Sequence, residues 1–248
     1  MSKVIDVFIE CDRAINKSVL IKRESASDKE FHFQNWFGNR LRDAQINFDA
    51  PGRNSYPDFM LVNAPEGFEL KGLAFPGRDA SYDSNSQVPT GMHNGRTIFY
   101  VFGRYPASPE TNEYPVYDLV ILHGDFLNAD HNYVHKNKSI KCFGTYGDIM
   151  IRDRKMYVAP TPFALTTGTQ RQITLILPKE TEVDSRVRKV GSLVRIEAEK
   201  IVVGYSFDLR SNEITPAFIP NPNAGRKHEF VAYRAETAAA EPKVTMAR

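Results

Sequence analysis

Tyr56-Pro57-Asp58 and, after ten intervening residues, Glu69-Leu70-Lys71 gather two carboxylates and one ammonium in a short stretch of chain. Side chains alternate along a β-strand, so Glu69 and Lys71 share a face if their segment is extended. A neighbouring strand beginning at Asp58 brings its carboxylate beside them, because Asn63-Ala64-Pro65-Glu66-Gly67 has the length of a hairpin connection. Two acids and an amine at one point suit phosphodiester hydrolysis. Mg2+ prefers oxygen ligands in octahedral geometry, keeps several waters, and is typically held by one or two carboxylates together with substrate phosphate. Asp58 and Glu69, with the main-chain carbonyl of Leu70, form a sufficient metal set. Such an ion polarises the phosphate and acidifies a bound water. Lys71 would orient or deprotonate that water and offset the charge growing on the phosphorus centre.

The surrounding pattern supplies elements able to position these groups. Val4, Phe8, Cys11 and Ile15 recur at helical spacing, and residues 18–22 read as extended. A second helix is expected over residues 28–44, with Ser27 and Glu30 as a capping box and Phe33, Phe37, Leu41 and Ala44 as its apolar stripe. Residues 49–55 form a turn-rich break. Strand patterns then occupy residues 58–62, 67–71, 97–102 and 116–122. Residues 76–95, dense in Ser, Asp, Asn, Gly and Pro, read as one long loop, and loops of that length in compact domains usually carry function. Shorter strand-like runs follow at 139–143, 155–158, 172–177, 193–196 and 200–207. Apolar periodicity fades from about Pro220, so residues 221–248 are expected to form a mobile tail, unless Phe230 and Tyr233 dock it, and removal after Asn223 is expected to leave activity intact.

Pro57-Asp58 followed by Glu69-Leu70-Lys71 resembles the signature of the PD-(D/E)xK nuclease superfamily, best known from type II restriction endonucleases. The helix–strand–strand–strand order over residues 27–122 is similar to its common core. The resemblance implies an α/β fold with a restriction-endonuclease-like core, in which a mixed central sheet is flanked by helices. To this core a β-rich extension over residues 123–220 is added, making residues 1–220 a single nuclease domain. It also implies Mg2+-dependent cleavage leaving 5′-phosphate and 3′-hydroxyl ends, and a homodimer cutting both strands of a palindromic site. A helix-borne acid often completes the superfamily's metal site, and Glu30 is the position that matches; the other reading of Glu30 is the capping box, bonded back to the Ser27 amide.

Groups suited to DNA lie around this constellation. The long loop begins five residues after Lys71 and offers Arg78, Asn85, Gln87, His93, Asn94 and Arg96, side chains that bond phosphates and base edges. Lys136, Lys138 and Lys141, with Arg152, Arg154 and Lys155, form a basic run interleaved with Tyr133, Phe143, Tyr146 and Tyr157. This run reads either as the wall of a DNA channel or as a solvated face. Asp130-His131-Asn132 with His135 lacks the flanking pattern of a His-Asn-His nuclease. Neither a GxGxxG nor a Walker A loop occurs, so no nucleotide cofactor is indicated, and no GxSxG elbow points to serine chemistry. Trp36 reads as a core residue.

Composition narrows the class. The 248 residues carry 32 Lys+Arg against 30 Asp+Glu, a net +2, with 42% hydrophobic and 25% charged residues. These values are those of a globular chain rather than a disordered or collagen-like one. A balance this near zero argues against coating nucleic acid by bulk charge. No apolar run reaches membrane-spanning length, so no membrane partner is expected. Cys11 and Cys142 have no metal-ligand spacing, which points to a reducing cytoplasm. The function expected is therefore a sequence-specific double-stranded DNA endonuclease. The alternatives are a structure-specific or repair nuclease, such as a junction resolvase, and a non-catalytic DNA-binding protein.

Overall fold

Thr97-Ile98-Phe99-Tyr100-Val101-Phe102 has none of the polar alternation of a half-exposed strand. An uninterrupted apolar run is what a strand covered on both faces requires. It lies at the middle of the central sheet, in a computed structural model that describes residues 2–23, 29–50, 52, 55–77, 79–85, 87–131, 145–146, 149–153, 156–208, 210–211, 213–240 and 242–247.

In chain order the elements are α1 (Val4–Asn16), β1 (Ile21–Lys22), α2 (Lys29–Asp43), β2 (Phe48–Asp49), β3 (Phe59–Leu61), β4 (Glu66–Phe75), β5 (Ser81–Asn85), β6 (Met92–His93), β7 (Arg96–Pro106), β8 (Glu113–Tyr114) and β9 (Asp118–His123). A 3-10 turn at Gly124–Phe126 leads towards β10 (Met150–Asp153), β11 (Met156–Pro160) and α3 (Pro162–Leu165). The chain continues through β12 (Ile173–Pro178), β13 (Val187–Ile196), β14 (Lys200–Asp208), β15 (Glu213–Pro220) and β16 (Lys227–Ala235).

Among the described residues the central sheet runs β13-β16-β12-β9-β7-β4-β3-β2, with β6 pairing to β7. Pairing is parallel between β4 and β7 and between β9 and β12, and antiparallel at the other junctions. The fold is thus α/β with a mixed central sheet. Because β12, β16 and β13 continue the same sheet beyond β9, the expected catalytic core and its β-rich extension share one layer.

The two faces of the sheet are covered differently. Phe99 and Val101 of β7 and Phe68 and Leu70 of β4 join Val4, Phe8 and Cys11 of α1 and Phe33, Trp36, Phe37 and Leu41 of α2 in one buried cluster. Gly103 allows α2 to approach: a Cβ there would lie 2.3 Å from Phe33 Cζ. Ile98, Tyr100 and Phe102 belong to a second cluster with Tyr82 of β5, Tyr157 and Ala159 of β11, Phe126 and Phe163. The two long helices therefore pack on one face, while the small sheet β5-β11-β10, the 3-10 turn and α3 cover the other.

Two expectations are corrected. The stretch 76–95 is not one structureless loop: Ser81–Asn85 pairs antiparallel with β11 from Ser81↔Pro160 to Asn85↔Met156, and Tyr82 and Val88 are buried. The mobile tail does not begin at 221. Lys227–Ala235 fills the gap between β13 and β12, with Phe230, Val231, Ala232, Tyr233 and Ala235 buried. Further on, the backbone of Val244 bonds to Val190 O at 3.1 Å. Deleting residues after Asn223 would remove an internal strand, so a truncated chain is expected to lose its fold. Among the described residues no helix is long and apolar enough to cross a membrane.

Candidate active site

The β3–β4 hairpin pairs Phe59 with Phe68 and Met60 with Gly67. Directly opposed residues of an antiparallel pair point to the same face. Alternation along β4 puts Lys71 on the face of Glu69, and Asp58 enters from the bend just before β3. Phe59, Phe68 and Leu70 point the other way, into the helix-side core. The period-2 pattern of the sequence therefore separates an apolar anchor from a charged face.

Distances agree with this placement. Lys71 Nζ donates to Glu69 Oε1 at 2.6 Å, and its ammonium lies 5.8 Å from the centre of the Tyr82 ring. Asp58 Oδ2 accepts the Leu70 amide at 2.7 Å, and Asp58 Oδ1 accepts Gln34 Nε2 at 3.0 Å. The carboxylate thus replaces the ladder hydrogen bond that β3 ceases to supply. A residue's N–H and C=O leave a strand on the same side, so the Leu70 carbonyl is turned to the Asp58 side as well.

Close packing fixes the approach of Asp58. Gly67 lies directly beneath Pro57, so a Cβ at 67 would stand 2.5 Å from Pro57 Cγ and 3.2 Å from the Phe59 carbonyl oxygen. Gly67→Ala is accordingly expected to cost about 1–3 kcal/mol of stability through overpacking. Urea unfolding checks this, and an unchanged midpoint would show that Pro57 can shift freely.

These groups line an open cleft of about 1070 Å3, bounded by α2 (Phe31, Gln34, Asn35, Gly38, Arg42), residues 55–59, the middle of β4 and residues 81–84 with Gln87. Among the described residues the charged lining is Asp58, Glu69 and Asp83 against Arg42 and Lys71, a formal sum of 2 − 3 = −1. Glu69 is 8% exposed, and its Oε2 takes no hydrogen bond from the described residues, which is costly for a carboxylate oxygen out of water. A hard divalent cation fits this donor set: Asp58, Glu69 and the Leu70 carbonyl would hold it. Among the described residues no three His, Cys, Asp or Glu side chains form a metal-binding group, so waters and substrate oxygen would complete the shell.

The other sequence candidates distribute unevenly. The backbone of Glu30 lies in the first turn of α2, but its side chain, and Ser27, fall outside the described residues, as do Arg78, Lys136, Lys138, Lys141, Arg154 and Lys155. The side chains of Asn85 and Arg152 are likewise outside the description. Gln87 lines the cleft, with its Nε2 donating to Val88 O at 3.0 Å. His93 lies edge-on to Tyr56 with ring centres 4.8 Å apart, and burial holds its imidazole below its ordinary pKa. Asn94 is exposed in a left-handed turn, φ 47°, and its Nδ2 lies 3.0 Å from His93 Nε2. Arg96 Nη1 donates to Leu61 O at 2.8 Å and Ala64 O at 3.1 Å, so it braces the β3–β4 hairpin. Asn94 and Arg96 border a separate shallow hollow with Val62 to Pro65, which moves them away from the expected DNA-facing set.

Gln34 is the site residue that sequence reasoning missed. It lies one helical turn after Glu30 and on the same face of α2, since i and i+4 are neighbours on a helix. The helix thus delivers a neutral amide to Asp58. Extending the Glu30 position by four residues was the signal available. Comparison with protein-family models, with curated proteins and with solved structures gives no match.

Proposed function

We propose that this chain is a Mg2+-dependent endonuclease with a restriction-endonuclease-like core. It hydrolyses double-stranded DNA to 5′-phosphate and 3′-hydroxyl ends, reads sequence, and works as a homodimer. The reading is carried by one observation: Asp58, Glu69 and Lys71 line one open cleft, with a buried Glu69 oxygen that takes no hydrogen bond from the described residues. The resemblance of their spacing to the PD-(D/E)xK signature supports it further.

When bound, Mg2+ supplies Lewis acidity to the phosphate and a water of lowered pKa. The chain does the rest. Asp58 is fixed from two sides, by the Leu70 amide and by Gln34, so its geometry is set before substrate arrives. Lys71 is held beside Glu69, where its ammonium orients the attacking water and offsets charge building on the phosphate oxygens. The cleft between α2 and β5 admits the scissile strand.

Incubation of plasmid DNA with Mg2+ tests the reading. Discrete fragments with 5′-phosphate ends are expected. Activity confined to branched or damaged DNA would replace sequence reading by shape reading, and binding without cutting would remove the enzyme assignment. Excess chelator is expected to stop cleavage. Ca2+ accepts looser geometry and is expected to support binding with little cutting; gel-shift and cleavage assays run side by side check this, and cutting that persists in chelator would contradict it.

A further inference from the structure

Asp58 belongs to no paired segment: it occupies the bend before β3, and the preceding residues 51, 53 and 54 lie outside the described structure. Something must hold Tyr56-Pro57-Asp58 against the sheet. Pro57 rests on Gly67, and Tyr56 reaches across to β7, where its hydroxyl lies 2.8 Å from the hydroxyl of Tyr100. Tyr100 is the β7 residue paired in parallel with Glu69, so the contact joins the strand that flanks Glu69 to the segment carrying Asp58. The His93 ring closes on Tyr56 edge-on, and the Tyr100 ring packs 6.3 Å from Phe102 and 6.5 Å from Tyr82. Tyr100 is fully buried, so its hydroxyl needs a partner, and Tyr56 provides one.

From this geometry we infer that Tyr56 and Tyr100 are positioning residues: their hydroxyl bridge is a strut fixing the separation of Asp58 and Glu69 before any cation binds. The inference rests on the metal-site reading above and adds residues that no motif contains. Burial is the main cause that holds both phenols above their ordinary pKa. Tyr100 is fully buried, away from the cleft that Tyr56 lines. Their effect passes through Asp58, as groups behind metal ligands do when they orient those ligands.

Tyr100→Phe removes one oxygen atom and leaves the packing ring. Mn2+ titration of the full chain, followed by electron paramagnetic resonance, reads the metal site directly, while thermal melting reads the fold. Tyr100→Phe is expected to weaken Mn2+ binding by about 10–100-fold, with cleavage restored by excess metal. Tyr56→Phe should act alike on Mn2+ affinity, and the double variant should lose no more of it than either single one, because both break the Tyr56–Tyr100 bond; Tyr100→Phe also gives up its Thr90 backbone bond, which thermal melting reads. Unchanged Mn2+ affinity in a variant whose melting temperature falls would overturn the inference and reduce the pair to a packing contact. Additive losses would also overturn it. If the unaltered chain binds no Mn2+, the metal-site reading fails first and carries the strut with it. If the unaltered chain binds Mn2+ and the variants bind equally, only the strut fails.

Discussion

Lys71→Ala stops cutting while leaving the cation site intact, whereas Asp58→Asn abolishes both: this is the largest functional effect expected of any single substitution. Lys71 donates to Glu69 Oε1, so its removal frees a carboxylate oxygen instead of deleting a ligand. Mn2+ affinity should stay level or rise. Cleavage should fall by about 10²–10⁴-fold, the span usual for loss of a positioned proton-transfer or charge-stabilising group. Asp58→Asn keeps the shape and removes the charge, and it disturbs the bonds from the Leu70 amide and Gln34. Rates measured at saturating Mg2+ separate the two, since excess metal rescues a binding defect and not a chemical one. A Lys71→Ala enzyme with ordinary turnover would remove Lys71 from the mechanism.

The largest stability effect lies elsewhere in the sheet. Arg104 of β7 and Asp118 of β9 are directly paired, 2% and 0% exposed, with Arg104 Nε donating to Asp118 Oδ1 at 2.8 Å. Arg104 Nη2 donates to Asp118 Oδ2, which also accepts the Arg171 amide at 2.6 Å. The guanidinium sits between the Phe75 and Phe163 rings, 4.4 and 4.3 Å from their centres, and its Nη1 reaches Asp79 at 3.2 Å. Asp118→Ala deprives the buried guanidinium of its buried partner and the Arg171 amide of its acceptor, and about 3–5 kcal/mol of stability is expected to go. Replacing both partners by apolar side chains, Arg104→Met with Asp118→Leu, should recover most of that loss, because the desolvation cost disappears with the charges. Equilibrium denaturation of the three variants decides the matter. A single variant as stable as the parent would show that solvent reaches the pair.

The shared face of Glu69 and Lys71 was legible in the sequence because strand alternation is strict, and the short hairpin between β3 and β4 brings Asp58 to the Leu70 amide beside it. Helices α1 and α2 were legible for the same reason, through their apolar stripes. Long-range pairing was not. Ser81-Tyr82-Asp83-Ser84-Asn85 has a composition poor in strand formers, and only its partner β11 makes it a strand. The segment 227–235 carries His, Glu and Arg among its apolar residues, and buried Arg234 is accommodated by the Gly168 and Pro242 carbonyls, contacts that no local pattern encodes. Asp118 stood inside an apolar run, where its partner fourteen residues earlier gave no periodic signal. Arg96 had the residue type of a DNA contact, yet the hairpin carbonyls engage it.

Titration of the purified chain with Mn2+, an oxygen-seeking stand-in for Mg2+, tests the two-carboxylate site most directly. Saturable binding that Mg2+ displaces, and that is lost in both Asp58→Asn and Glu69→Gln, is the predicted result. Absence of saturable binding in the unaltered chain, or equal binding in the two variants, would contradict it.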